Sequence, residues 1–237
     1  GISFDGRSSA SGLIKDNKFV ADVSGLYTLN AHFGNVTSST KVKVTDRDIK
    51  RDIVQLGTGD VFDKHTSDAW FFEGVDGKDY GVSGTFFDGQ AYFWDVSDPA
   101  NITKVDSIKV DARIVNDVKV SKDSKICVIT KEGASNRKNG FVILDISNPS
   151  DVKVLSEYTD GLTGGVHNVF IDNNHVYALN AFGNPAKFEV VNIEDPKNPK
   201  GVGKFELKLG SAIHDIWIED GICLLYTSDA AADVVGV

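Results

Sequence analysis

The chain reads as an all-β repeat protein, and three observations predict this. The segments WDVSDPANITKV, LDISNPSDVKVL and VNIEDPKNPKGV superpose with Asp95, Asp145 and Asn192 in register, at spacings of 50 and 47 residues. A second marker keeps step with the first. IVNDVKV, VHNVFI and IHDIWI align Asn116, His167 and His214 at spacings of 51 and 47, and a weaker copy, TSDAWFF, puts Ser67 49 residues before Asn116. Third, no segment sustains a 3.6-residue apolar period, whereas short alternating or apolar runs recur between turn residues. Short strands at a period of 47 to 51 residues are the signature of β-propeller blades.

The second repeat shows the predicted blade most clearly. IVNDVKV alternates and runs into the turn SKDS; KICVIT is a short apolar run; the loop KEGASNRKNG leads to FVILDI; and SNPSD turns into VKVLSEYT. That makes four strands. The pairs Asp98-Pro99, Asn148-Pro149 and Asp195-Pro196 suit a turn after the third strand, because a short polar side chain bonds nearby backbone and proline fixes its own φ.

In chain order, residues 1–46 hold GLYTLNAHFGNVTSSTKVKVT, two alternating strands joined at Gly34-Asn35, a two-residue hairpin loop. This stretch looks like the closing hairpin of a bacterial Ig-like domain, which implies a β-sandwich fragment that packs poorly alone. Residues 47–60 read as a charged linker followed by DIVQLGTG, a candidate strand for closing a ring. Residues 61–222 hold about three blades and the start of a fourth. The last stretch, 223–237, leaves the repeat: CLLYTSDAA is a permitted translation of the end of a transposase-based sequencing adapter, so residues 223–237 are expected to be non-native. Against this stands ICLLYT, which aligns with KICVIT as a second strand. There is no methionine anywhere, so the natural start is expected to have been removed.

Within 61–222, VNDVKVSKDSKICVITKEGASNRKNGFVILDISNPSDVKVLSEYTDGLTGGVHNVFID resembles the LVIVD-repeat proteins, bacterial β-propellers with an apolar LVIVDVSDP-like third strand. The third copy departs from that pattern at Asn192, where the family favours Asp. The resemblance, with the Ig-like fragment, implies an extracytoplasmic location: secreted, periplasmic or cell-surface.

Composition narrows the partners. A formal charge of -9 and no Lys/Arg-rich run argue against nucleic acid, since neutralising phosphates takes clustered cations. No run of about 18 apolar residues is present to span a membrane. Cys127 lies in the apolar KICVIT and reads as a buried free thiol rather than half of a disulfide with Cys223. No GxSxG, HExxH, paired CxxC or EF-hand pattern occurs, and GLTGG lacks the lysine and helix of a phosphate-binding loop.

Two groups of residues are candidate sites. Asn116, Asp117, His167, Asn168, His214 and Asp215 recur where each blade's innermost strand begins, and His65 and Asp68 fall in the equivalent region of the first blade. They are expected to converge at one mouth of the channel. There they can bind a ligand or a divalent metal, or bond the backbone of the neighbouring blade and fix the ring's geometry. The second candidate is the loop TKEGASNRKNGF, in which Glu132, Arg137 and Lys138 are recognition residues. The preferred reading is a non-catalytic binding or scaffold module for a protein or glycan. The alternative is a metal-dependent hydrolase or lactonase-like enzyme, which requires His167, His214 and Asp117 to face one cavity without close backbone partners.

Overall fold

A computed structural model describes residues 2–4, 12–15, 18–21, 23–46, 53–61, 64–180, 186–207, 213–219 and 221–227. The chain divides into two units, Gly1–Val54 and Gln55–Val237.

In the first unit, β1 (Ile2–Phe4) pairs with β4 (Gly25–Phe33), which pairs with β5 (Val36–Val44), and β2 (Gly12–Lys15) pairs with β3 (Lys18–Ala21). The β4–β5 hairpin forms where alternation predicts it: Phe33 faces Val36 across a two-residue loop, and Gly34 takes the positive φ of 57° that its first position requires. Its core is thin. Tyr27 is fully buried against Phe19, with its hydroxyl donating to Val23 O at 2.7 Å, while most of β5 is exposed.

The second unit is a partial β-propeller. Blade 1 comprises β6 (His65–Glu73), β7 (Asp79–Phe86), β8 (Gln90–Asp95) and β9 (Thr103–Lys109). Blade 2 comprises β10 (Val118–Val120), β11 (Ile126–Lys131), β12 (Gly140–Asp145) and β13 (Lys153–Tyr158). Blade 3 comprises β14 (Val166–Asp172), β15 (His175–Asn180), β16 (Ala186–Asn192) and β17 (Lys200–Leu207). The hairpin of β18 (Ile213–Glu219) and β19 (Ile222–Thr227) begins a fourth. Every pairing is antiparallel between sequence neighbours. The first strands are innermost, since β10 lies against β6 and β14, and β14 against β18.

Strand alternation builds the core between blades. Cys127, Ile129, Val142 and Leu144 of blade 2 pack on Val82, Ala91 and Phe93 of blade 1, while the intervening Val128, Phe141 and Ile143 pack on Val176, Ala178 and Val191 of blade 3. Cys127 is fully buried and free, and burial pushes its thiol well up from the ordinary value.

The Asp-Pro turns repeat to the hydrogen bond. Asp95, Asp145 and Asn192 each accept, through Oδ1, the N–H two residues on, at 3.0, 2.9 and 2.9 Å. Asp98, Asn148 and Asp195 do the same at 3.0, 3.2 and 3.1 Å. The departure at Asn192 is therefore silent, because an amide oxygen accepts this bond as a carboxylate does.

Two stretches differ from the simplest sequence reading. Of DIVQLGTG, the candidate ring-closing strand, residues 53–59 are described and form no strand; Gly57 lies so close to blade 1 that a Cβ on it would stand 2.1 Å from Pro99 O. At the other end, Cys223–Thr227 continue β19, with Leu225 opposite Ile216, as the alignment of ICLLYT with KICVIT expects. Residues 228–237 lie outside the described residues.

Candidate binding site at the channel mouth

The recurring polar residues sit on bulges. In β6 the ladder breaks between Thr66 and Ala69, in β14 between Val166 and Val169, and in β18 between Ile213 and Asp215. Ser67, Asp68, His167, Asn168 and His214 are thus freed from strand pairing and re-aimed toward the neighbouring blade. Blade 2 reaches the same result differently: Thr130 Oγ1 accepts the N–H of both Asn116 and Asp117, at 2.9 Å each, before β10 begins.

Most of these groups tie one blade to the next. Ser67 Oγ donates to Val115 O at 2.5 Å, and Asp68 Oδ2 accepts Val118 N–H at 3.3 Å. One blade further on, Asn116 Nδ2 donates to His167 O at 2.8 Å and Asn168 Oδ1 at 3.3 Å, and Asp117 Oδ2 accepts Val169 N–H at 2.7 Å. Asp117 is 1% exposed, and its other oxygen takes Val118 N–H and the Lys119 ammonium. Asp215 repeats the local part of the pattern, its Oδ1 accepting Ile216 N–H at 2.7 Å. His65 is exposed opposite Phe86 and belongs to none of these tethers.

Lys119 also reaches Asp68, at 3.1 Å, so one ammonium serves two carboxyls that share a hydrogen bond. Burial, then the Asp68 carboxyl, push Asp117 well above its ordinary value against the pull of Lys119. Burial also works to raise Asp68, but the bond with Asp117 and the charge of Lys119 outweigh it and hold Asp68 low.

Below the mouth the first strands carry a layer of rings around one ammonium. Trp70, Lys119, Phe170 and Trp217 occupy one register of the four first strands: the Lys119 ammonium stands 5.0 Å from the Trp70 ring centre, Trp70 6.2 Å from Trp217, and Phe170 5.0 Å from Trp217. Sequence reasoning missed this layer, although it recurs at spacings of 49, 51 and 47, three residues beyond the marker at Ser67, Asn116, His167 and His214.

The two candidate sites form one surface. Glu132, the first residue of the loop, exchanges backbone bonds with Ile114, and its Oε1 lies 3.5 Å from His167 Nδ1. The His167 and His214 rings meet edge to face at 5.1 Å. Beyond Glu132 the loop is pinned on both flanks: Ser135 bonds the Asp111 carboxylate through N–H and Oγ at 3.0 and 2.9 Å, and Asn139 Nδ2 donates to Thr163 O at 2.9 Å. Arg137, at φ 60°, and Lys138 are exposed on this fixed rim. Among the described residues, the buried side-chain oxygens without a donor are Glu132 Oε1 and Asn180 Oδ1. Among the described residues, no group of three or more His, Cys, Asp or Glu is placed to hold a metal ion.

Comparison with known proteins agrees with the fold. Residues 135–160 match the LVIVD repeat. Three solved structures similar to the chain are a hypothetical selenium-binding protein from Sulfolobus tokodaii (13% identity, TM-score 0.56), Raptor from Chaetomium thermophilum (13%, 0.55) and the Cps50 (Swd1) β-propeller domain from Myceliophteria thermophila (9%, 0.55). They match over 69%, 76% and 89% of this chain, which spans 46%, 17% and 62% of theirs. No curated protein matches the sequence.

Proposed function

We propose that this propeller, which carries an LVIVD repeat, is a non-catalytic binding or scaffold module that recognises a protein or glycan at the channel-mouth face. The observation that carries this reading is the use of the repeated polar residues as tethers. Asp117 has both oxygens engaged, two of the bonds being to backbone N–H groups, so it is not the free acid that the hydrolase alternative requires. Trp70, Lys119 and Trp217 crowd the layer below, so recognition falls to the mouth and its rim. A pinned loop presenting Arg137 and Lys138 suits an acidic protein surface or glycan, because little backbone freedom is left to lose on binding. The extracytoplasmic location, bacterial origin and Ig-like spacer belong to the same proposal and rest on the sequence resemblance.

The test is a glycan array and a panel of acidic proteins probed with the full chain, with each hit repeated on Arg137→Ala and Lys138→Ala. Binding that falls by roughly tenfold or more in these variants, at unchanged melting temperature, supports the reading. Divalent-metal-dependent hydrolysis of an ester or lactone, abolished in His167→Ala, overturns it.

A further inference from the structure

We propose that Phe87, held in a strained turn on the channel-mouth face of blade 1, is the apolar anchor for a protein partner that approaches with an acidic segment. This rests on the recognition role proposed above and narrows it to a protein.

The backbone carries the argument. Phe86 and Glu132 both bridge to Ile114, and the residues that follow them, Phe87 and Gly133, take φ of 73° and 68°. The two blades thus share one left-handed position. Blade 2 fills it with glycine, which adopts that conformation without penalty, whereas blade 1 fills it with a bulky side chain, for which it is strained. Little of the ring serves the fold: it is 67% exposed and meets the ring of its neighbour Phe86 at 6.0 Å.

The turn is braced around it. Asp88 Oδ1 accepts the Thr85 hydroxyl and, at 3.2 Å, Gln90 N–H, and Oδ2 accepts Gln90 Nε2 at 3.1 Å. Gly89 O accepts Val110 N–H at 2.9 Å, and a Cβ on Gly89 would stand 2.3 Å from Ala112 O. Strained residues persist only where their surroundings over-determine them, and they cluster at ligand clamps and active sites. With the backbone fixed, only the ring's own torsions are left to order on binding.

Chemistry selects the partner. Both carboxylate oxygens of Asp88 are taken up within the turn, so the corner offers an apolar face without the polar groups that sugar hydroxyls covered by a ring would need beside it. Residues 110–114 run from this turn to the loop of blade 2, where Arg113 N–H donates to Glu132 O at 2.8 Å, so the exposed Arg113, Arg137 and Lys138 follow Phe87 along the rim. The carboxylate between them, Asp111, is held by Ser135. An aromatic anchor beside cations fits an acidic segment that carries a large apolar side chain.

The experiment is selection from a displayed library of random linear peptides on the full chain, followed by fluorescence anisotropy of the selected peptides with the parent, Phe87→Gly, Phe87→Tyr and Arg137→Ala. Peptides combining Asp or Glu with Leu, Phe or Trp are expected. Their affinity should fall roughly tenfold or more in Phe87→Gly with no loss of melting temperature, since glycine already serves at this position in blade 2, and Phe87→Tyr should bind as the parent does. Failure to enrich such peptides, or peptides that bind Phe87→Gly as tightly as the parent, overturns the anchor. A peptide or arrayed glycan whose binding falls in Arg137→Ala but not in Phe87→Gly overturns this inference alone and leaves recognition at the rim standing.

Discussion

Asp117 concentrates the bonding of the blade junction in one residue. It is buried, receives Val169 N–H from the next blade, and shares Lys119 with Asp68. Replacing it by Ala leaves the Lys119 ammonium half-paired and takes the carboxylate acceptor from Val169 N–H, while Val118 N–H keeps Asp68, and should cost about 3–5 kcal/mol in urea unfolding. Asp117→Asn keeps an acceptor at the position, as Asn168 does in blade 3, and should cost about 1 kcal/mol. The pair also sets a pH dependence with two signs. Asp117 is raised, so the folded state holds a proton that the unfolded chain gives up; its contribution is fully present below 3.8 and is lost as pH rises through its folded value. Asp68 is lowered, so its contribution is present above 3.8 and is lost as pH falls through its folded value. The urea midpoint should therefore rise as a neutral solution is first acidified and fall only in stronger acid. A midpoint that declines steadily from neutrality, or a rise that persists in Asp117→Asn, would refute this coupling.

At the level of the element, the repeated turn after each third strand should tolerate the swap that nature has already made. Asp145→Asn preserves the bond to Ser147 N–H that Asn192 makes to Glu194 N–H, and should leave stability within about 0.5 kcal/mol. Asp145→Ala removes the acceptor and should cost about 1 kcal/mol by the same measurement. Equal losses in both variants would mean that the charge, not the bond, matters. The ladder irregularities recur in register too: between Phe93 and Trp94, Ile143 and Leu144, and Val190 and Val191 the third strand shifts against the fourth. These shifts twist each blade's outer edge, as bulges do.

Across the propeller unit, blade 1 offers a face that blade 2 does not. Phe71, which aligns with Val120, is 69% exposed where Val120 is 7% exposed, and Gly81 and Ser83 stand where blade 2 has Cys127 and Ile129. The missing side chains open a groove of about 380 Å³ bordered by Phe71, Trp94 and Ile102. An apolar face of this kind promotes association. Light scattering after size exclusion should show concentration-dependent assembly of the chain, reduced by Phe71→Glu; assembly unchanged by that substitution would place the sticky surface elsewhere.

The sequence by itself determined the four-stranded blades, their period, the β4–β5 hairpin and the bonding role of the Asp-Pro turns. Each of these depends on neighbours close along the chain, where alternation and turn chemistry act directly. The same repeats picked out Asn116, Asp117, His167 and Asp68, because side chains at one register meet the same environment in every blade. Only the tertiary structure decided what those residues do. Whether Asp117 faces a cavity or Val169 N–H depends on Thr130, whose hydroxyl holds the N–H groups of Asn116 and Asp117, and on the bulge in β14 that presents Val169, and no local pattern encodes either. Glu132 likewise read as a loop residue until the seam between blades 2 and 3 brought its carboxylate to 3.5 Å from His167. The layer below the mouth was legible in principle, since Trp70, Lys119, Phe170 and Trp217 keep the repeat spacing, but their residue types differ, and only the convergence of four first strands shows that they pack as one layer.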